Sequence, residues 1–222
     1  MRYPHQNGQS ACVASPDLDL APERRNQIVR DVRTALEGAI AGSSFALRGS
    51  LADGNADEYS DIDAVWRVPD GDFQTAVDAL AHAAEAVGEV FSVRVDTSVS
   101  AEGRCLVFVT FADLPVFWRF DVSIETASGF GAVVIDGAMQ GSSAESALAN
   151  AVACVKAVRR GRIEVALGLL ERGYERVGGK YEPTGSWRTD VVRLADQVAL
   201  SDARLEARAE EVRHVADTML PE

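Results

Sequence analysis

Apolar positions along the chain follow two regimes. From about residue 20 to residue 135 helical and alternating patterns interleave, and beyond about residue 143 only helical spacing remains. Ile28, Val29, Val32, Leu36 and Ile40 recur at helical intervals and predict an amphipathic helix from about Pro22 to Gly42. Ser44 to Leu47 reads as a short buried strand that ends at Arg48-Gly49-Ser50. A polar stretch rich in Gly, Asn and Asp leads to a second strand, Asp61 to Val68, stopped by the turn residues Pro69-Asp70-Gly71. A second helix is expected over about Asp72 to Val87, with Phe73, Val77, Leu80 and Ala84 on its core side. Three strand-like segments follow, Glu89 to Thr97, Arg104 to Phe111 and Val116 to Thr126. Ala112-Asp113-Leu114-Pro115 suits a four-residue hairpin between the last two, and Val133 to Ile135 adds a further short strand.

The second regime comprises three helical stretches, Ser143 to Arg160, Arg162 to Val177 and about Ser186 to Leu220, punctuated by Gly161 and Gly178-Gly179. They predict a small bundle. The organisation expected is a disordered N-terminus over residues 1–17, an α+β domain over 18–138 and a helical domain over 139–222.

Composition narrows the class. The 222 residues are 47% apolar and 25% charged, ordinary for a globular protein able to bury its own core. Cys12, Cys105 and Cys154 lie far apart, which argues against a disulfide framework and a zinc site. With no signal-like start and no apolar run of about 18 residues, a cytoplasmic location is expected. The net charge of −12 repels nucleic acid and attracts a cationic small molecule, or serves solubility alone. His5, His82 and His214 match no metal or triad spacing, and Trp66, Trp118 and Trp187 read as core or cleft wall.

The chemistry is concentrated between Ala46 and Trp66. Gly49 lets the backbone approach an anion closely, and Ser50 adds a hydroxyl donor where a strand turns into a short helix; a Gly-Ser turn also occurs for purely structural reasons. Eleven residues beyond Ser50 stand Asp61 and Asp63, whose alternation with Ile62 points both carboxylates to one face. Like charges side by side need compensation, and a pair of Mg²⁺ ions supplies it unless the pair lies on a solvated strand edge. Asp121 sits in an apolar strand where Arg119, Asp121, Ser123 and Glu125 share a face. It calls for a partner, either Arg119 in a structural ion pair or a metal shared with Asp61 and Asp63.

Gly49-Ser50, the eleven-residue gap to Asp61-Ile-Asp63 and the later Asp121 together resemble the DNA polymerase β-like nucleotidyltransferase superfamily. The stretch Gly49 to Asp63 is most similar to its small prokaryotic branch of aminoglycoside and lincosamide nucleotidyltransferases and the minimal enzymes of toxin–antitoxin pairs. The resemblance covers about residues 44 to 126 and implies a nucleotidyltransferase-type mixed sheet flanked by helices, followed by an α-helical bundle. It implies that Gly49 and Ser50 hold the β- and γ-phosphates of an NTP, ATP being expected, and that Asp61, Asp63 and Asp121 hold two Mg²⁺ ions. The proton of the acceptor hydroxyl falls to Asp121, Asp96 or Glu125, among which the sequence leaves the choice open. Lys156, the lysine of the first bundle helix, is placed to reach the triphosphate, with a surface lysine as the alternative. Kanamycin-type relatives carry a glutamate four residues before such a lysine, where this chain has Val152. The expected activity is transfer of an NMP to a hydroxyl of a small, cationic acceptor such as an aminoglycoside-like antibiotic. An antitoxin-type enzyme that modifies or binds a toxin protein is the alternative, and a homodimer is compatible with either.

Overall fold

The computed structural model describes residues 20–96, 103–135 and 139–221. The N-terminal stretch 1–17, with His5 and Cys12, lies outside the described residues. The chain divides into two compact units, with the break between Gly141 and Ser142.

The first unit is built on a five-stranded mixed sheet of order β1-β2-β5-β4-β3. Its elements in chain order are α1 (Pro22–Ala39), β1 (Ser44–Leu47), α2 (Gly49–Ala52), β2 (Ile62–Val68), α3 (Phe73–Glu85), β3 (Val90–Asp96), β4 (Arg104–Phe111) and β5 (Phe120–Thr126). Only the central β2–β5 pair is parallel; β1–β2, β5–β4 and β4–β3 are antiparallel. Alternation along the strands sorts the two faces. Ile62, Ala64, Trp66 and Val68 of β2, Cys105, Val107, Val109 and Phe111 of β4, and Phe120, Val122 and Ile124 of β5 are all at most 2% exposed. Against this apolar face pack α1 and α3, through Val32, Leu36, Phe73, Val77 and Leu80. The opposite face carries Asp63, Arg67, Arg104, Phe108, Asp121 and Glu125, none of them buried.

Two expectations for this unit are corrected. The β4–β5 connection is not a four-residue hairpin, because β5 begins only at Phe120. The backbone folds through a turn in which Trp118 N donates to the Pro115 carbonyl at 2.8 Å, and the Trp118 indole donates to the Glu58 carbonyl at 2.8 Å. These bonds draw residues 116–119 off the β4 ladder. Val133 to Ile135 form no strand either. The side chain of Gln74 on α3 takes their backbone partners, accepting from Val134 N at 2.7 Å and donating to its carbonyl at 3.1 Å.

The second unit contains α4 (Ser143–Arg159), α5 (Ile163–Arg176), α6 (Trp187–Ser201) and α7 (Glu206–Met219). A capping box opens α4, with Ser142 Oγ accepting from Glu145 N at 3.0 Å and Glu145 Oε2 accepting from Ser142 N at 2.7 Å. The buried face of α4 packs on α5, α6 and α7. The single helix expected from Ser186 to Leu220 is broken at Asp202, whose backbone is extended (φ −147°, ψ 99°). Its carboxylate accepts from Arg204 N at 3.1 Å and from the Arg204 guanidinium, so the chain restarts there instead of continuing. Among the described residues no helix is long and apolar enough to cross a membrane.

Candidate active site

The parallel register of β2 and β5 sets Asp63 directly opposite Asp121. Neighbouring strands lie about 4.8 Å apart, so these two carboxylates, remote in sequence, rise from adjacent points on one face. Asp61 stands one residue before β2, and its Oδ1 accepts from Arg119 N at 3.3 Å. The Arg119 carbonyl in turn accepts from Ile62 N at 2.9 Å, which extends the β2–β5 pairing to the level of Asp61.

The Gly-Ser turn lies against the same acids. Arg48 N donates to the Asp63 carbonyl at 2.8 Å. Gly49 has φ +57°, and a Cβ placed on it would come within 3.0 Å of Asp63 Oδ2. Glycine is therefore required both for its left-handed backbone and for the space that the Asp63 carboxylate uses. Gly49→Ala is expected to fold with a stability loss of about 1–2 kcal/mol from the left-handed conformation. Its transfer rate should fall further, on the order of 100-fold, because Asp63 is displaced. Thermal melts alongside initial rates check this: equal activity in the two proteins would contradict the proximity.

The loop that delivers Asp61 is held from several sides. Asp57 Oδ1 accepts from Tyr59 N at 3.1 Å and from Ser60 Oγ at 2.9 Å. Arg25, buried on α1, donates to the Asp57 and Ser60 carbonyls at 2.6 and 3.2 Å. Burial lowers the pKa of Arg25, and Asp57, Glu58 and Asp61 offset part of that effect. Tyr59 is 5% exposed and packs edge-on against Phe117, with ring centroids 5.1 Å apart. It is thus core and anchors the loop.

Arg119 engages Asp121 through a two-pronged ion pair, Nε to Oδ1 at 2.5 Å and Nη2 to Oδ2 at 2.6 Å. The structural ion pair weighed as one of two partners for Asp121 is thus present. Burial opposes the charge of Arg119, but the hydrogen bonds and field of Asp121, with the fields of Asp61 and Asp63, outweigh it and raise its pKa. All three acids therefore act on one guanidinium. Its flat face lies 4.5 Å from the centroid of Phe108, which Arg94 covers at 4.6 Å.

Further along the same face a second cluster forms around Glu125. Arg48, Arg104 and Arg67 approach its carboxylate at 3.8, 3.8 and 4.0 Å, and Ser123 Oγ donates to it at 3.0 Å. Glu125 lies four residues beyond Asp121, about 13 Å along the strand. Asp96 belongs to β3, two strands from β5, where it pairs with Leu106. Of the three candidates for accepting a proton, Asp121 alone stands opposite Asp63.

Lys156 is 7% exposed on α4 of the second unit. His82 and His214 are exposed, and Trp66, Trp118 and Trp187 are each at most 2% exposed within their cores. Arg25 and the arginines about Glu125 were missed in the sequence. An arginine in an amphipathic helix or at a strand end carries no local sign of what it will reach.

Among the described residues no three His, Cys, Asp or Glu side chains are gathered as a ready metal cage. The donor set nonetheless fits a hard divalent cation. It consists of carboxylate oxygens, the donor type that such an ion takes.

With this geometry in view, the comparison with known families is informative. Residues 26–121 match the family model for a nucleotidyltransferase domain. The match covers less than half of the chain, starting within α1 and ending on Asp121. The sheet unit thus carries a nucleotidyltransferase domain, and the protein is a nucleotidyl-transfer enzyme. No curated protein matches the chain significantly.

Proposed function

We propose that the enzyme transfers an NMP, with ATP as the expected donor, to a hydroxyl of a small-molecule acceptor in the cytoplasm. The single observation that carries this reading is the pairing of Asp63 with Asp121 beside Gly49 on one sheet face. Asp61, Asp63 and Asp121 are the residues that would hold Mg²⁺. When bound, the metal neutralises triphosphate charge and eases ionisation of the acceptor hydroxyl. Gly49 keeps the backbone clear beside Asp63, and Ser50 offers a hydroxyl to the phosphates. Asp121 is the group best placed to take the hydroxyl proton. A bond forms between the acceptor oxygen and the α-phosphorus, the α–β phosphoanhydride bond breaks, and pyrophosphate leaves. Lys156 is assigned to the triphosphate by resemblance alone.

A cationic, aminoglycoside-like acceptor is favoured by the net charge of −12. Locally, Arg48, Arg67 and Arg104 around a single glutamate leave an excess of positive charge, which suits the phosphates of the nucleotide instead. A polycation then has to bind on the acidic side of the site, toward Asp61 and Asp63.

The deciding experiment incubates the protein with Mg²⁺, each α-labelled NTP, and a panel of aminoglycosides and lincosamides. Asp61→Ala/Asp63→Ala serves as the control. Label appearing on one antibiotic with ATP, and absent in the control, is the expected result. Label on a protein partner would move the assignment to the antitoxin-type alternative. Wild type and control behaving alike on every acceptor and nucleotide would end the proposal.

A further inference from the structure

Arg119 touches the acidic cluster twice by different means. Its main-chain N–H binds Asp61 at 3.3 Å, while its side chain closes both oxygens of Asp121 in a fork. The third acid, Asp63, adds its field to the same guanidinium. The side chains of the pair are largely removed from water, Arg119 at 27% and Asp121 at 12% exposure. Phe108, the β4 partner of Asp121, supports the guanidinium plane from beneath. Carboxylates that share one face of adjacent strands repel one another unless a cation offsets them. In the protein alone Arg119 supplies such a charge to all three, and Arg25 adds a field at Asp61.

We propose that Arg119 is an internal counter-ion that holds the three acids together before catalysis and is exchanged for the divalent cation. It is a positioning residue. The inference rests on the metal-binding role proposed for Asp61, Asp63 and Asp121, and adds that ion binding and release of Asp121 by Arg119 are one coupled event. The reason is competition for the same oxygens. A forked arginine occupies both oxygens of Asp121, and a second cation drawn to that carboxylate meets the fixed positive charge of the first. The arginine cannot give way by losing its proton, so it gives way by rotating off the carboxylate. Cation affinity in the absence of nucleotide is thereby kept low, while the acids stay preassembled.

Two measurements on the full chain test this. The first is Mn²⁺ binding without nucleotide, followed by the electron paramagnetic resonance of the free ion. Wild type is compared with Arg119→Gln, Arg119→Lys, Asp61→Ala/Asp63→Ala, and Arg30→Gln as a charge-matched change on the exposed face of α1. Arg119→Gln is expected to bind Mn²⁺ on the order of tenfold or more tighter than wild type, since a competing cation is gone. Arg119→Lys, with charge but no fork, should fall between, and Arg30→Gln should match wild type. The second is the Nε–H signal of Arg119 in ¹⁵N-arginine-labelled wild-type protein, which should lose its protected, ion-paired character as Mg²⁺ is added. A folded Arg119→Gln binding Mn²⁺ no more tightly than Arg30→Gln, or an Nε–H signal unmoved at Mg²⁺ saturation, would overturn the exchange alone. Mn²⁺ binding by wild type no better than by Asp61→Ala/Asp63→Ala would remove the metal reading and the exchange with it.

Discussion

Asp63→Asn is expected to lower the nucleotidyl-transfer rate on the order of 10³-fold, about 4 kcal/mol of transition-state stabilisation, while leaving the fold intact or slightly firmer. Both halves of that expectation follow from the same geometry. Asp63 faces Asp121 across a parallel strand pair, and its carboxylate borders Gly49. Neutralising it removes a carboxylate proposed to hold the metal, and it also relieves repulsion from a like charge on the neighbouring strand. Asparagine keeps the shape, so the Gly49 turn is not disturbed. Single-turnover rates measured beside a urea melt separate the effects. A variant that retained most of its activity would show that catalysis is organised elsewhere.

The second large effect falls on stability. Trp66 is fully buried at the centre of β2, flanked by Phe45 of β1 and Ile124 of β5. Trp66→Ala should cost about 3–5 kcal/mol, as deletions of large buried aromatics do. Among the described residues the Trp66 indole N–H has no hydrogen-bond partner. Trp66→Phe therefore loses packing but no hydrogen bond, and a cost of about 1–2 kcal/mol is expected. Trp118 is the contrasting case, because its indole donates to the Glu58 carbonyl at 2.8 Å. Trp118→Phe should lose about 1 kcal/mol beyond the change of ring and should also loosen the loop that presents Asp61. Chemical denaturation of the three variants gives the ordering. Trp66→Phe as damaging as Trp66→Ala would contradict the assignment of Trp66 as a purely apolar filler.

Several elements of the fold were legible because their patterns are local. The helical spacing of Ile28, Val32 and Leu36 and the alternation of Cys105, Val107 and Val109 report burial within one helix or one strand. The breaks were harder. The turn at Pro115–Trp118 depends on an indole reaching Glu58 and a backbone bond to the Pro115 carbonyl. The absence of a strand at Val134 depends on one glutamine of α3. Each is fixed by a partner that lies far away along the chain.

The sequence by itself determined which residues are candidates for the chemistry. Glycine and serine after a strand, two aspartates with one residue between them, and a lone aspartate in a later apolar strand are covalent facts of spacing and polarity. Tertiary structure alone decided that β2 and β5 run parallel with Asp63 against Asp121, that Arg25 clamps the loop before Asp61, and that Arg119 occupies Asp121. The physical reason is range. Periodicity is set by neighbours a few residues apart, whereas strand order and ion pairing are chosen by the burial of a whole sheet face. Only that collective choice sets Asp63 against Asp121 and brings the Arg119 guanidinium onto the latter.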